Sequence, residues 1–212
     1  MINKGTTIML LIILGAVGYL IGSLNFSIIL SDKKRQDDVR LHGSGNAGAT
    51  NMLRTYGLKM ALFTFAFDSL KTVASYFVGY YVAGYFGIND VSGCAVFAAT
   101  VCILGHCFPL YFGFKGGKGV TNCGILFILI DWKIAMLALA VFVLVVMLTK
   151  YVSLGSMCGA LSFAVIQLCI GGHGNRFYVY LFALALFIVF MHRKNVVRLI
   201  KGTENKISFK KK

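Results

Sequence analysis

The chain has 212 residues, of which 58% are hydrophobic, 13% are charged and one is proline, and its mean hydropathy is +0.80. Charged residues make up about 25% of an ordinary soluble domain, so this composition excludes that class. The 21 basic residues outnumber the 7 acidic ones and give a formal net charge of +14. Such a surplus is typical of nucleic-acid-binding proteins, but we expect no nucleic-acid partner for a chain that is so largely apolar.

Seven apolar stretches predict an all-α integral membrane protein, a bundle of about seven transmembrane helices with cytoplasmic glycine-rich loops. A membrane-spanning helix needs about 20 apolar residues. The stretches cover residues 8–30, 58–86, 91–112, 119–130, 134–149, 154–171 and 177–191. The second contains Asp68 and Lys71 and the fourth has only about three turns, so counting these two differently gives five spans. No repeat or linker divides the chain, and we predict one multi-pass domain over residues 1–212 with a basic tail at 205–212.

The basic residues predict the orientation, because Lys and Arg are retained on the cytoplasmic side of a membrane. With seven spans, 17 of the 21 basic residues fall on one side. They are Lys33, Lys34, Arg35, Arg40, Arg54, Lys59, Lys115, Lys118, Lys150, Arg193, Lys194, Arg198, Lys201, Lys206, Lys210, Lys211 and Lys212. Lys4, Lys133 and Arg176 fall on the other side and Lys71 lies within a span. The N-terminus is therefore expected outside and the C-terminus in the cytoplasm.

The first glycine-rich segment, residues 42–54, reads HGSGNAGATN and ends with Arg54. Its glycines fit GxGxxG, but a dinucleotide-binding fingerprint requires a preceding strand in a βαβ unit, and here a charged loop follows a membrane helix. Backbone amides and short polar side chains in this pattern can converge on an anion, to which Arg54 adds a bidentate donor. A glycine-rich hairpin capped by Asn and Ser explains the local pattern equally well.

Two charged residues and one histidine lie inside the next apolar stretches. Asp68 and Lys71 are three residues apart, so we expect them to neutralise each other inside the helix bundle. His106 precedes Phe108 and Pro109 near the end of the third stretch and is expected to be a packed core histidine.

The second glycine-rich segment, residues 113–121, reads GFKGGKGVT. It does not have the P-loop spacing GxxxxGK[ST], because Lys118 is followed by Gly119. Lys115 and Lys118 among four glycines form a flexible cationic loop whose amides, at Gly116, Gly117 and Gly119, can approach a phosphate closely. A loop that only retains positive charge on one side needs lysines but not the glycines, which favours a functional loop.

The third segment, residues 191–204, reads MHRKNVVRLIKGTE and begins where the last stretch ends. His192, Asn195 and Arg198 are spaced by three residues, so they form one stripe on a helix. A basic amphipathic helix on anionic lipid accounts for the arginines and lysines, but less well for His192, Asn195 and Glu204. Upstream, Ser153 and Ser156 begin the sixth stretch, where they contact a ligand or cap the helix, and capping is the commoner role.

The remaining candidates for chemistry are few. Six cysteines lie mostly in apolar runs without a CxxC pair, so buried thiols are expected rather than disulfides or a zinc site. They are Cys94, Cys102, Cys107, Cys123, Cys158 and Cys169. The single Trp132 is expected at the outer membrane interface. No pattern indicates a metal ion or an organic cofactor.

Taken together, the three segments resemble the bacterial acyl-phosphate:glycerol-3-phosphate acyltransferases of phospholipid synthesis. The similar text is GSGNAGATN with Arg54, then GHCFP with FKGGKGV, then HRKNVVRLIKGTE, in that order and separated by spans. The resemblance runs from the first apolar stretch to Glu204. This chain departs from the family pattern KGGKGVAT at Thr121 and Asn122, where the family has alanine and threonine.

The resemblance implies an enzyme of the bacterial plasma membrane that transfers an acyl group from acyl phosphate to the 1-hydroxyl of sn-glycerol 3-phosphate. The products are lysophosphatidic acid and inorganic phosphate, and this is the first acylation of phospholipid biosynthesis. Its partners are then the two phosphorylated substrates and membrane lipid, with no obligate protein partner. The chain also lacks an HxxxxD pair, which other acyltransferases use.

Site roles follow as a hypothesis from the resemblance and the residues. The donor phosphate is expected to bind Ser44, Asn46, Thr50, Asn51 and the amides of Gly43, Gly45 and Gly48. The phosphate of glycerol 3-phosphate is expected to bind Arg54, Lys118 and His192, with Lys115, Ser153, Ser156 and the amides of Gly116, Gly117 and Gly119 as further contacts. Asn195, Arg198 and Glu204 position the third segment. Ser44, Lys118 and His192 are the expected catalytic residues, His192 as general base unless the donor phosphate takes the proton itself.

Two other functions fit parts of the sequence. A transporter of a small phosphorylated metabolite could use the glycine-rich loops as its binding site, but a carrier places that site near the bilayer midplane, often between repeats. A basic membrane scaffold or lipid sensor predicts that Asn46 and Lys118 are dispensable.

Overall fold

The chain folds almost entirely into helices. The structure is a computed structural model that describes residues 4–172 and 174–207, with the backbone alone at 33–35. These residues contain no β-strand, which confirms the all-α prediction and leaves GxGxxG without its βαβ context. Their α-helices are α1 Lys4–Ser23, α2 Phe26–Arg35, α3 Ala49–Tyr56, α4 Leu58–Tyr85, α5 Val91–Cys107, α6 Val120–Ile130, α7 Trp132–Thr149, α8 Val152–Ile170, α9 Asn175–Met191 and α10 Arg193–Ile200.

Helices lie at all seven apolar stretches, but they differ in their ability to cross a membrane. Four segments are long and apolar enough: Lys4–Asp32, Val91–Phe112, Trp132–Thr149 and Val152–Ile170. The pair α9 and α10, bent by 59°, adds a fifth if it is counted as one span. The two remaining stretches are α4, which has 28 residues but carries Asp68 and Lys71, and α6, which has only 11. The count of seven spans stays a prediction.

The chain divides into two compact units, Met1–Leu126 and Phe127–Lys212. That residues 1–212 form one multi-pass membrane domain stays a prediction. Of the predicted basic tail, Lys210, Lys211 and Lys212 lie outside the described residues, as do the side chains of Lys33, Lys34 and Arg35.

Close helix contacts in the first unit depend on glycine. A Cβ at Gly18 of α1 would overlap the carbonyl oxygen of Ala98 on α5, and one at Gly22 would overlap that of Cys102. Gly105 of α5 meets the α1 backbone in the same way. Small residues at such spacings let membrane helices approach closely, so α1 and α5 form the centre of this unit, against which α4 also packs.

The second unit packs α8 between α7 and α9. Gly155 and Gly159 of α8 face Phe142 on α7, where any side chain at Gly155 would overlap the Phe142 carbonyl oxygen. The rings of Phe127 and Phe163 stack with centroids 3.9 Å apart. Small residues and one aromatic stack therefore hold this unit together.

The burial of the six cysteines and of Trp132 bears on their predicted positions. Cys94, Cys102, Cys107 and Cys123 are buried, Cys158 is half-buried and Cys169 is exposed. All six are free thiols, so the expectation of buried thiols holds for four of them. Trp132 is 62% exposed at the start of α7, as a residue at a membrane interface would be.

Candidate active site

Asn51 shapes the first glycine-rich segment. Gly43 and Gly45 have φ angles of +57° and +72°, a left-handed conformation that favours glycine. The buried side chain of Asn51 closes this turn: its Oδ1 accepts from Ser44 N at 2.9 Å, and its Nδ2 donates to Val39 O at 2.9 Å and to His42 O at 3.0 Å. All three bonds are within the protein, so in this structure Asn51 holds the loop.

The same loop presents the start of α3. The helix begins at Ala49, and its N-cap residue Gly48 makes no side-chain capping bond, so no capping side chain accepts from the first-turn N–H groups. A helix N-terminus attracts anions through its N–H groups and its dipole. Asn46 and Thr50 flank this end as half-buried residues, while Arg54 is exposed in the last turn.

A carboxylate orders the chain just before the first segment. Asp37 accepts from the Tyr56 hydroxyl at 2.9 Å, and His42 Nε2 lies 2.8 Å from Asp37 Oδ2. These bonds from His42 and Tyr56 hold the pKa of Asp37 below its ordinary value. The segment therefore starts from a fixed polar anchor.

Arg40, two residues before the first glycine-rich segment, connects this part of the chain to the second segment, a role that the sequence does not predict. Asp38 fixes the guanidinium, with Arg40 Nη2 2.7 Å from Asp38 Oδ2. Arg40 Nη1 then donates to the carbonyl oxygens of Phe112 at 2.9 Å and Lys115 at 3.0 Å. In the sequence, the spacing Asp38-x-Arg40 is the one feature that points to this contact. The carbonyl groups that Arg40 binds lie more than 70 residues later, and no residue type marks a backbone carbonyl as an acceptor.

The second glycine-rich segment folds back on the end of α5. Gly116 N donates to Cys107 O and Gly117 N to His106 O, both at 3.1 Å. These two amides are therefore bonded to protein carbonyls, which differs from the expectation that they face a phosphate. The glycines are still required, because a Cβ at Gly117 would overlap His106 Nε2 and the Ala47 carbonyl oxygen. Lys115 is exposed and Lys118 is half-buried on either side of them.

A buried polar cluster lies next to this segment in the first unit. The predicted pair of Asp68 and Lys71 is confirmed, with Oδ1 and Nζ 2.8 Å apart and both side chains at most 3% exposed. His106 is buried as expected, but it belongs to this cluster, since Nδ1 lies 3.0 Å from Lys71 Nζ. Asn122, at which the chain departs from the pattern KGGKGVAT, is also buried there, and its Nδ2 donates to Thr72 Oγ1 at 2.9 Å.

His192 follows the last residue of α9, in the second unit, and is the C-cap of that helix. Its Nδ1 lies 2.8 Å from the Ile188 carbonyl oxygen. A carbonyl oxygen only accepts, so Nδ1 carries the hydrogen and the neutral ring has its lone pair on Nε2. This tautomer can take a proton, although the residue is only 2% exposed.

Glu204 fixes the third segment to α8. Its Oε1 accepts from Ser153 Oγ at 2.8 Å and from Asn195 Nδ2 at 2.6 Å, and its Oε2 accepts from Arg198 Nε at 2.7 Å. Burial raises the pKa of Glu204, but the hydrogen bonds from Arg198, Asn195 and Ser153 outweigh this effect and hold the pKa below its ordinary value. Ser156 instead donates to Val152 O within α8 at 2.8 Å.

The predicted site residues thus form two groups, one in each unit. The first unit holds Gly43, Ser44, Gly45, Asn46, Gly48, Thr50, Asn51, Arg54, Lys115, Gly116, Gly117, Lys118 and Gly119, and the second holds Ser153, Ser156, His192, Asn195, Arg198 and Glu204. Within the described residues, no group of three His, Cys, Asp or Glu side chains could hold a metal ion.

Comparison with known proteins gives consistent matches along the chain. The family model described as glycerol-3-phosphate acyltransferase matches residues 12–202. A protein of that name from Thermoanaerobacter pseudethanolicus is 39% identical over 195 residues, which is 92% of this chain and 94% of the relative. Another from Finegoldia magna is 40% identical over 200 residues, covering 93% and 96%.

Two solved structures have the same fold. Both are of PlsY (YgiH), an integral membrane glycerol 3-phosphate acyltransferase. The glycerol 3-phosphate form is 30% identical with a TM-score of 0.83, covering 93% of this chain and 96% of that one. The lysophosphatidic acid form is 29% identical with a TM-score of 0.79, covering 93% and 95%. The chain is therefore an all-α integral membrane protein that belongs to the glycerol-3-phosphate acyltransferase family.

Proposed function

We propose that the protein transfers a fatty acyl group from acyl phosphate to the 1-hydroxyl of sn-glycerol 3-phosphate. The hydroxyl oxygen forms a bond to the acyl carbonyl carbon, the bond from that carbon to the phosphate oxygen breaks, and inorganic phosphate leaves with the electron pair. The product is lysophosphatidic acid. The observation that carries the proposal is that, in a family member, Arg40 connects the chain just before the first glycine-rich segment to the second, so both segments with their cations lie in one unit.

The first unit offers the groups that a phosphate requires. We assign the donor phosphate to the uncapped start of α3 with Ser44, Asn46 and Thr50, because charge builds on the phosphate as it leaves. Asn51, with Gly43, Gly45 and Gly48, shapes this pocket. We assign the phosphate of glycerol 3-phosphate to Arg54 and Lys118.

A second group of residues supports the reaction from the second unit. His192 is proposed as the general base, because its hydrogen is on Nδ1 and its Nε2 can accept the hydroxyl proton. Glu204 with Asn195, Arg198 and Ser153 orders the third segment to which His192 belongs. We further propose that the protein lies in the bacterial plasma membrane, with its N-terminus outside and these segments in the cytoplasm, and that it works without a cofactor or an obligate protein partner.

A phosphate-release assay on the purified protein in detergent tests this function. Phosphate should be released from acyl phosphate only when glycerol 3-phosphate is present, and acyl-CoA or acyl carrier protein should not replace the donor. The variant Lys118→Ala should lose most of this activity. Its matched control is Lys59→Ala, which removes an exposed cation at the start of α4 and should retain activity.

Other outcomes would identify other functions. Release without glycerol 3-phosphate would show a hydrolase. Equal turnover with acyl-CoA would contradict the acyl-phosphate donor. Uptake of glycerol 3-phosphate into sealed vesicles without acylation would show a carrier.

A further inference from the structure

The buried pair of Asp68 and Lys71 is not explained by stability alone. Both side chains are at most 3% exposed in the middle of α4, whose one other charged residue, Lys59, lies at the start of the helix. Replacing a buried ion pair by apolar residues of similar volume is often neutral or stabilising, because desolvating the charges offsets their attraction. Charges retained inside a membrane helix therefore indicate a role in function.

Lys71 determines the hydrogen position on His106. Its ammonium donates to the carbonyl oxygens of Gly22 at 3.0 Å and Leu24 at 2.9 Å, and it lies 3.0 Å from His106 Nδ1. His106 Nδ1 also lies 3.5 Å from Asp68 Oδ1, which is the longer of its two contacts. An ammonium group has donors and no acceptor, so at the shorter contact, with Lys71, His106 Nδ1 accepts. The neutral imidazole then carries its hydrogen on Nε2, the opposite side of the ring.

That side of the ring meets both glycine-rich segments. A Cβ at Gly117 would overlap both His106 Nε2 and the Ala47 carbonyl oxygen, so these two groups border the same space. The backbone of His106 also takes part, since its carbonyl oxygen accepts from Gly117 N at 3.1 Å and from Asn25 Nδ2 at 3.4 Å. Asn25 Nδ2 lies 3.5 Å from Ala47 O as well. His106 thus sits where the second segment approaches the first.

We propose that Lys71 and His106 are positioning residues: Lys71 fixes the ring and tautomer of His106, which holds Gly117 and thereby the adjacent Lys118 in place for phosphate binding. The link to phosphate rests on the proposed function. The claim that His106 positions the second segment does not depend on that function, so the two claims can be tested separately.

The first test measures hydrogen exchange of residues 113–119 in detergent. In His106→Asn the shorter side chain keeps an acceptor near Lys71 but does not reach Gly117, so the amides of Gly116 and Gly117 should exchange at least about tenfold faster. His106→Gln, whose amide nitrogen can take the place of Nε2, should restore most of the protection. Cys107→Ala is the matched control: it truncates the neighbouring buried side chain and leaves the backbone carbonyl that Gly116 uses, so exchange should not change.

The second test measures kinetics on the same variants. His106→Asn should raise KM for glycerol 3-phosphate about tenfold, with a smaller effect on kcat, while His106→Gln and Cys107→Ala stay within about threefold of the original protein. The double variant Asp68→Leu/Lys71→Met, which removes both buried charges together, should raise KM in the same way even if its melting temperature is unchanged. It is the alternative if His106→Asn does not fold.

Each result has a defined meaning. Unchanged exchange in both His106→Asn and the double variant would overturn the proposal, whatever the activity. Equal damage in His106→Gln and His106→Asn would overturn the role of the Nε2 hydrogen. Faster exchange in a protein whose original form shows no acyl transfer would leave the positioning role standing and reject the proposed function.

Discussion

At the scale of single residues, Asn51 illustrates how one amide can define a loop. It uses one acceptor and two donors on three backbone groups of the first glycine-rich segment. An unpaired buried polar group costs about 1–3 kcal/mol. The conformation of Gly43 and Gly45 therefore depends on a side chain eight and six residues further along, respectively.

The variant Asn51→Asp removes the two hydrogen bonds that Asn51 donates and leaves no cavity, because the two side chains have nearly the same size. The aspartate can still accept from Ser44 N, but it faces Val39 O and His42 O with no hydrogen to donate. We expect a loss of about 2 kcal/mol in the free energy of unfolding, measured by thermal unfolding in detergent. A melting temperature equal to that of the original protein would show that the two carbonyl bonds contribute nothing.

His192→Ala tests the base at the same scale. A positioned general base contributes about 100-fold to 10,000-fold to a rate, so kcat at saturating substrates should fall by at least about 100-fold. If the donor phosphate takes the proton instead, kcat will stay near its original value and only KM will rise. Single-turnover phosphate release separates these two cases.

Some of these residues could be identified from the sequence and others could not, because their partners are backbone groups. The glycines, Asn51 and Glu204 stand out because their types are unusual beside an apolar helix. Arg40 does not, because its acceptors are backbone carbonyls in another segment. The amides of Gly116 and Gly117 were expected to face a phosphate, since no sequence pattern shows that the carbonyls of α5 lie next to them.

At the scale of helices, the third segment depends on one carboxylate. Glu204 binds side chains from α8 and α10 while itself following α10. Its lowered pKa means that its contribution to stability is present above pH 4.5 and is lost as the pH falls through the lower folded-state value. The attachment of α10 to α8 is therefore expected to be sensitive to acid.

Glu204→Gln measures this attachment. At pH 7 the variant should be less stable by about 2 kcal/mol, with the share from the partly exposed Arg198 reduced by solvent screening. As the pH falls below 4.5 towards the lowered pKa of Glu204, the unfolded form of the original protein is protonated first, so its advantage and the difference between the two melting temperatures should shrink. A difference that stays constant down to the most acidic pH at which both proteins fold would show that the charge of Glu204 is not what holds α10.

The first apolar stretch contains a break between two helices, which hydropathy does not predict. Residues 8–30 predict one span, and the structure divides it into α1 and α2 at Leu24 and Asn25. The apolar character continues across the break, so a hydropathy average does not register it. Asn25 is the local signal, because its side chain caps α2 by accepting from Ile28 N at 3.4 Å.

At the scale of the whole molecule, the asymmetry of charge predicts orientation. Of the 21 basic residues, 17 fall on one side of the predicted spans, and such residues stay in the cytoplasm. We expect a fluorescent reporter fused after Lys212 to fold and fluoresce in cells, and an epitope fused before Met1 to be accessible from outside. The reverse pattern, or a C-terminus found outside, would show an even number of spans or the opposite orientation.

The position of Lys71 along the chain also bears on how the protein is made. Inserting a lone lysine at the centre of a membrane helix costs about 3 kcal/mol. Yet the Gly22 and Leu24 carbonyls and the Asp68 carboxylate all precede Lys71 in the sequence, and of its contacts described above only His106 follows it. In the predicted arrangement of seven spans, α4 would therefore enter the bilayer with its ammonium already solvated by the chain made before it, and α5 would then add the contact with His106.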